Sequence, residues 1–140
     1  KKRFPYWSFQ VGNILRLGFM SNFFDCVTIL EVMEHIQPHF TFAALKEVYR
    51  VLKKGGTAIF SVPLNENLEE MILGGCNPNA HVRLYTPEIV NMELKISGFM
   101  IKKIKLLYAF HRHYYLKTFI TKLFDKVAKP NNVIILAKKI

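Results

Sequence analysis

The sequence predicts an α/β fold built on a mostly parallel sheet, and three observations carry that expectation. Two short apolar runs, Phe23 to Leu30 and Thr57 to Val62, are rich in β-formers, as strands buried on both faces of a parallel sheet are. An amphipathic helical pattern lies between them, so strand, helix and strand fit into about forty residues, the length of a βαβ unit. A further helix and two more strand candidates, Phe99 to Tyr108 and Val133 to Lys138, follow.

Each element has its own signal. Thr41 is placed to cap a helix running to about Lys54, with Phe42, Leu45, Val48, Tyr49 and Leu52 on one side. Lys53 and Lys54 suit its C-terminal dipole, and Gly55–Gly56 is expected to stop it. Pro63 ends the second strand. Leu68–Leu73 reads as a short helix before the turn chemistry of residues 74–79. Thr86–Pro87–Glu88 supplies an N-cap, an N1 proline and an early acid, opening a helix to about Ser97 that stops at Gly98. Leu116, Phe119, Ile120, Leu123, Phe124 and Val127 recur at helical spacing within 113–129, among several lysines.

Composition bounds the class. The 140 residues fit one domain, and 51% hydrophobic against 21% charged describes a packed unit. No apolar run reaches the length of a membrane span. Two cysteines are too few for a disulfide framework, which agrees with a reducing, cytoplasmic setting. The chain starts without Met, as a fragment would. Residues 1–90 carry nine Lys/Arg against eight Asp/Glu, whereas residues 91–140 carry eleven against two. The second portion therefore holds a net +9 of the total +10. Such a surface either attracts nucleic acid or an anionic membrane face, or is simply a solvated lysine-rich face.

The phrases FDCVTILEVMEHI, ALKEVYRVLKKGG, AIFSVP and HVRLYTPEIVNMELKISGF, with the closing VIILAKK, stand in one order and spacing. Together they resemble the class I S-adenosylmethionine-dependent methyltransferases, from about Phe9 to the C-terminus. The resemblance implies a Rossmann-like methyltransferase sheet, mostly parallel with an antiparallel C-terminal strand. Residues 1–140 then form a partial domain whose first two strands lie upstream of Lys1, with 110–130 as a basic insertion shaping the acceptor pocket. The family's glycine-rich first loop and its ribose-binding acid have no counterpart here, and no G-x-G-x-x-G occurs.

The same resemblance implies S-adenosyl-L-methionine as cofactor. Gly12, Asn13 and Ile14 stand at the adenine end, with Asn13 where the family commonly has Asp. Leu30, Glu31 and Val32 stand at the methionine end. The implied reaction moves the sulfonium methyl to a small-molecule or lipid-like acceptor. Glu34–His35 stands at the substrate mouth, where a histidine does acid–base work or fixes a loop. Asn65 follows the strand end, and His81 and Arg83 precede a helix; each either touches substrate or makes a loop contact. No catalytic base is assigned. No metal is expected, because His111 and His113 alone do not supply a ligand set. The rival reading is a non-catalytic relative that binds RNA, a phosphorylated protein or an anionic membrane through its basic end.

Overall fold

The computed structural model describes residues 7–64, 68–75, 77, 80–108 and 129–140. Its elements are β1 (Phe24–Leu30), α1 (Thr41–Val51), β2 (Leu52–Pro63), α2 (Leu68–Leu73), α3 (Pro87–Ile96), β3 (Phe99–Leu107) and β4 (Asn132–Lys139). Two single 3-10 turns, Met33–His35 and Pro38–Phe40, lie between β1 and α1. The four strands form one sheet in the order β1-β2-β4-β3. β1 and β2 are parallel, and β4 runs antiparallel to both of its neighbours. Three strands therefore point one way, as expected, and the reversed one is the last in sequence.

β4 lies between β2 and β3, which explains its alternation: Val133, Ile135 and Ala137 are fully buried. They join Phe60, Val62, Leu45, Val48, Leu94 and Phe99 in one core cluster. Ile14, Leu15 and Val32 pack against the same cluster from its margin, so the segment before β1 and the turn after it share one support.

Four local expectations are corrected. β1 is not buried on both faces: it is an edge strand among the described residues, and only Ile29 is buried along it. α1 ends at Val51 rather than Lys54, because Leu52 turns extended and enters β2. Gly55–Gly56 consequently does not stop a helix. Between the Phe24–Leu52 and Cys26–Thr57 pairs the register shifts, and Gly55 at φ +74° lies inside that irregularity. A side chain at Gly56 would lie 2.8 Å from the Lys53 carbonyl oxygen.

Thr41 does not cap α1 either. The Pro38–Phe40 turn feeds directly into the helix, so Phe40 takes the N-cap position and Thr41 is already helical and buried. The buried face accordingly runs through Thr41, Ala44, Leu45, Val48 and Val51, and Phe42 is exposed. α3 follows expectation closely: Thr86 Oγ1 accepts from the Ile89 amide, Pro87 stands at N1, and Gly98 takes φ +93° after the helix. The amphipathic pattern of 113–128, the greater part of the 110–130 insertion and Asn65 fall outside the described residues.

Candidate active site at the carboxyl ends of the strands

In open α/β sheets ligands bind beyond the carboxyl ends of the parallel strands. Here that edge is formed by Leu30 at the end of β1, Glu31 after it and Pro63 at the end of β2, with Asn132 opening β4 beside it. The chain turns sharply as it leaves β1, with Glu31 at φ +53°. That uncommon conformation is held from several sides. The Glu31 amide donates to the Ser61 carbonyl oxygen and lies within reach of Ser61 Oγ, each at 3.1 Å. Ser61 Oγ donates in turn to Glu31 Oε1, and Asn132 Nδ2 donates to the same oxygen at 3.0 Å. One carboxylate thus ties three strand ends together. Leu30 beside it leaves its side chain about half exposed, at 52%.

The segment before β1 is fastened from α1. Arg50 forms a bidentate pair with Glu47 at 2.8 Å on both arms and also donates to the carbonyl oxygens of Phe19 and Leu17. Glu47 accepts from the Leu17 amide at 3.0 Å. The Arg50 guanidinium holds the Glu47 carboxyl down at about 2. Upstream of this clamp, Asn13 Oδ1 accepts from the Leu15 amide at 2.9 Å and the Arg16 amide donates to the Asn13 carbonyl oxygen. The result is an Asx-type turn that presents Asn13 to solvent and Ile14 half buried, with Gly12 exposed.

A second group lies past β1. Glu34 is fully buried in the turn Met33–His35, and neither of its carboxylate oxygens has a hydrogen-bond partner among the described residues. Burial pushes its carboxyl above the usual carboxylate range. The Glu34 carbonyl oxygen accepts from the Val82 amide, and His35 Nδ1 lies 3.3 Å from the Ala80 carbonyl oxygen. These contacts bring the 80–83 segment onto the turn. His35 and His81 meet edge to face with ring centroids 4.8 Å apart.

Each expected site residue except Asn65, which lies outside the described residues, can be placed from this geometry. Leu30, Glu31 and Val32 lie at or just beyond the carboxyl end of β1. Gly12, Asn13 and Ile14 lie on the turn ahead of the Arg50 clamp. His35 and His81 are brought together. Arg83 makes loop and helix contacts: its guanidinium donates to Thr41 Oγ1 and Glu93 Oε1 and lies 4.4 Å over the Tyr85 ring. Tyr85 completes the group by donating to Glu93 Oε2. Ser61, Asn132, Glu47 and Arg50 were not singled out from the sequence. The i,i+3 spacing of Glu47 and Arg50 was a readable signal. So was Ser61, a lone hydroxyl in an apolar strand. Asn132 carried none, because its role depends on pairing across the sheet.

These residues fit part of an adenosyl-methionine ligand. Leu30 and Ile14 offer apolar surface, and Asn13 keeps amide donors and a second acceptor lone pair beyond its turn bond. The glycine loop and ribose-binding acid are not among residues 1–140. Two surface depressions among the described residues lie elsewhere. One, about 560 Å³, is at the opposite end of the sheet by Gly98, Phe99 and Ile140, and another, about 480 Å³, is beside α1 at Lys46 and Arg50. No described helix is long and apolar enough to cross a membrane.

Comparison with known proteins agrees with this architecture. Residues 1–60 match the family described as "Methyltransferase domain". A demethylmenaquinone methyltransferase of Streptomyces griseus is 42% identical over 66 residues, 45% of this chain and 28% of that protein. The chain thus spans little more than a quarter of that relative's length. A methyltransferase structure from Methanosarcina mazei, described as SAM-dependent, aligns with a TM-score of 0.67 at 18% identity, covering 94% of this chain and 66% of that one. Phosphoethanolamine N-methyltransferase 2 of Haemonchus contortus, solved with S-adenosyl-L-methionine, aligns with a TM-score of 0.61 at 19% identity, covering 91% and 36%. The family match spans β1 and α1 but less than half of the chain, and these alignments across nearly all of the sheet show that the chain has the fold of the S-adenosylmethionine-dependent methyltransferases, without the glycine-rich first motif among its 140 residues.

Proposed function

We propose that this chain is the acceptor-side portion of an S-adenosylmethionine-dependent methyltransferase acting on a small or lipid-like molecule in the cytoplasm. The observation that carries the proposal is the family match over residues 1–60, which contains the Asn13 turn and the tied end of β1. When bound, the cofactor supplies an electrophilic methyl on a sulfonium that is already a good leaving group. The protein's contribution is then chiefly positioning. Asn13 and Ile14 hold the adenine end, and Leu30, Glu31 and Val32 bound the methionine end. The Glu31–Ser61–Asn132 tie and the Arg50 clamp keep these two turns fixed. No residue is assigned as a base, since orientation alone can supply much of the rate.

The test is calorimetric titration of S-adenosylhomocysteine into this chain and into a version extended upstream. Binding by the extended version, with little or none by residues 1–140, is the expected result. A folded extended version that fails to bind overturns the enzyme reading.

The second reading is favoured by charge. Residues 91–140 carry a net +9, and Lys102, Lys103 and Lys105 are exposed on β3. A non-catalytic relative that binds RNA through this surface would lose affinity steeply with rising salt.

A further inference from the structure

We propose that Glu34, His35 and His81 form a binding site for a divalent transition-metal ion. One donor atom from each lies within 4.8 Å of the other two. Glu34 Oε1 is 3.9 Å from His35 Nε2 and 3.9 Å from His81 Nε2. Those separations are too long for hydrogen bonds. They suit a shared ion: a point equidistant from three such atoms is roughly 2.5 Å from each, and shifts of about half an ångström reach the 2.0–2.2 Å of zinc bonds to nitrogen and oxygen.

Three further features point the same way. Glu34 is a fully buried carboxylate with no hydrogen-bond partner on either oxygen among the described residues, an arrangement that is costly unless a cation accompanies it. His35 Nδ1 faces the Ala80 carbonyl oxygen, and donation there leaves Nε2 unprotonated and turned toward Glu34. Metal-bound histidines commonly donate their other ring N–H in this way. Finally, the ligands are held in place. Asn77 brackets the His81 backbone, with Nδ2 donating to its carbonyl oxygen and Oδ1 accepting from its amide. The Val82 amide bonds the Glu34 carbonyl oxygen, and Arg83 anchors the same loop to Thr41 and Glu93.

Two imidazoles and one carboxylate are a nitrogen–oxygen set suited to zinc and its neighbours rather than to calcium or magnesium. His35 is 43% exposed while Glu34 and His81 are buried, so the open coordination position faces solvent. An oxygen donor of an incoming molecule can take it. The proposal stands on the donor geometry alone and does not depend on the methyl-transfer reading.

The test is calorimetric titration of zinc chloride into metal-free chain at neutral pH in a non-chelating buffer. A His111→Ala/His113→Ala background removes the two histidines in the 109–128 segment. Expected is one zinc per chain, with affinity reduced at least about tenfold by Glu34→Gln and by His35→Ala, and unchanged by His39→Ala. Circular dichroism verifies that each variant is folded. His35 is exposed, so its variant decides the matter if Glu34→Gln fails to fold. Absence of zinc uptake overturns the proposal, and so does uptake that His35→Ala leaves unchanged.

Discussion

Glu47 and Arg50 lie one helical turn apart on α1, and their bidentate pair reaches outward to hold Leu17 and Phe19. The pair therefore does more than an isolated surface ion pair, because it satisfies backbone groups of a segment that has little regular structure. The Glu47 carboxyl is depressed from 4.5 to about 2 by the Arg50 hydrogen bonds. A depressed acid contributes stability that is complete above its unfolded value and is lost as pH falls toward its folded one. Between about 4.5 and 2 the unfolded chain binds more protons, so stability rises with pH across that window. Glu47→Gln is expected to cost on the order of 1 kcal/mol at pH 7, since solvent screens part of the pair. Urea unfolding at stepped pH should show that difference shrinking toward zero near the bottom of the window. A difference independent of pH would mean that the pair does not hold the segment electrostatically.

Among the elements, β2 and β3 show how glycine fixes junctions. Gly98 links α3 to β3 at φ +93°, a conformation that side chains resist, and a Cβ there would meet the Tyr49 ring at 3.2 Å. Tyr49 has little freedom to withdraw: its hydroxyl donates to the Ile140 carbonyl oxygen, and Lys139 Nζ lies 4.8 Å over its ring. Gly98→Ala is expected to destabilise the fold by about 1–3 kcal/mol, measured by thermal or urea unfolding. Gly18→Ala is the control, since nothing lies within 4 Å of its added carbon and its φ is not in the left-handed region. Equal effects of the two substitutions would show that the α3–β3 junction carries no special constraint.

For the molecule as a whole, the decisive feature is the sheet's asymmetry. β4 and β2 are buried within the sheet, while β1 pairs only with β2 among the described residues and leaves Cys26, Thr28 and Leu30 exposed. A seven-residue open edge rich in β-formers is a template for pairing with another strand. Residues 1–140 are expected to associate as concentration rises, and Thr28→Lys to suppress that association by placing a charge on the edge. Sedimentation velocity over a concentration series decides it, and a wild-type chain that stays monomeric throughout would remove the edge from consideration.

Among the described residues, the order and type of the helices and strands were legible in the sequence, because periodicity, the Thr86–Pro87 cap and the Pro63 stop act over a few residues. FDCVTILEVMEHI and its companions, in one order and spacing, pointed by resemblance to the methyltransferase fold that the sheet then showed. The sequence pointed to Leu30–Val32 and to the Asn13 turn by resemblance. The tertiary structure decided the rest. Gly55–Gly56 reads as a helix stop locally, but pairing with β1 draws Leu52 into the strand and leaves the glycines in its irregular stretch. Arg83 reads as either a substrate contact or a loop contact, and the fold delivers Thr41 and Glu93 to it. His81 stands 46 positions after His35, and only the closure of the loop onto the Met33–His35 turn brings the two rings together beside a buried Glu34 whose carboxylate has no hydrogen-bond partner among the described residues. Short-range preferences write themselves into neighbouring residues, whereas the meeting of distant side chains depends on which strand lies beside which, and that is settled by packing the whole sheet.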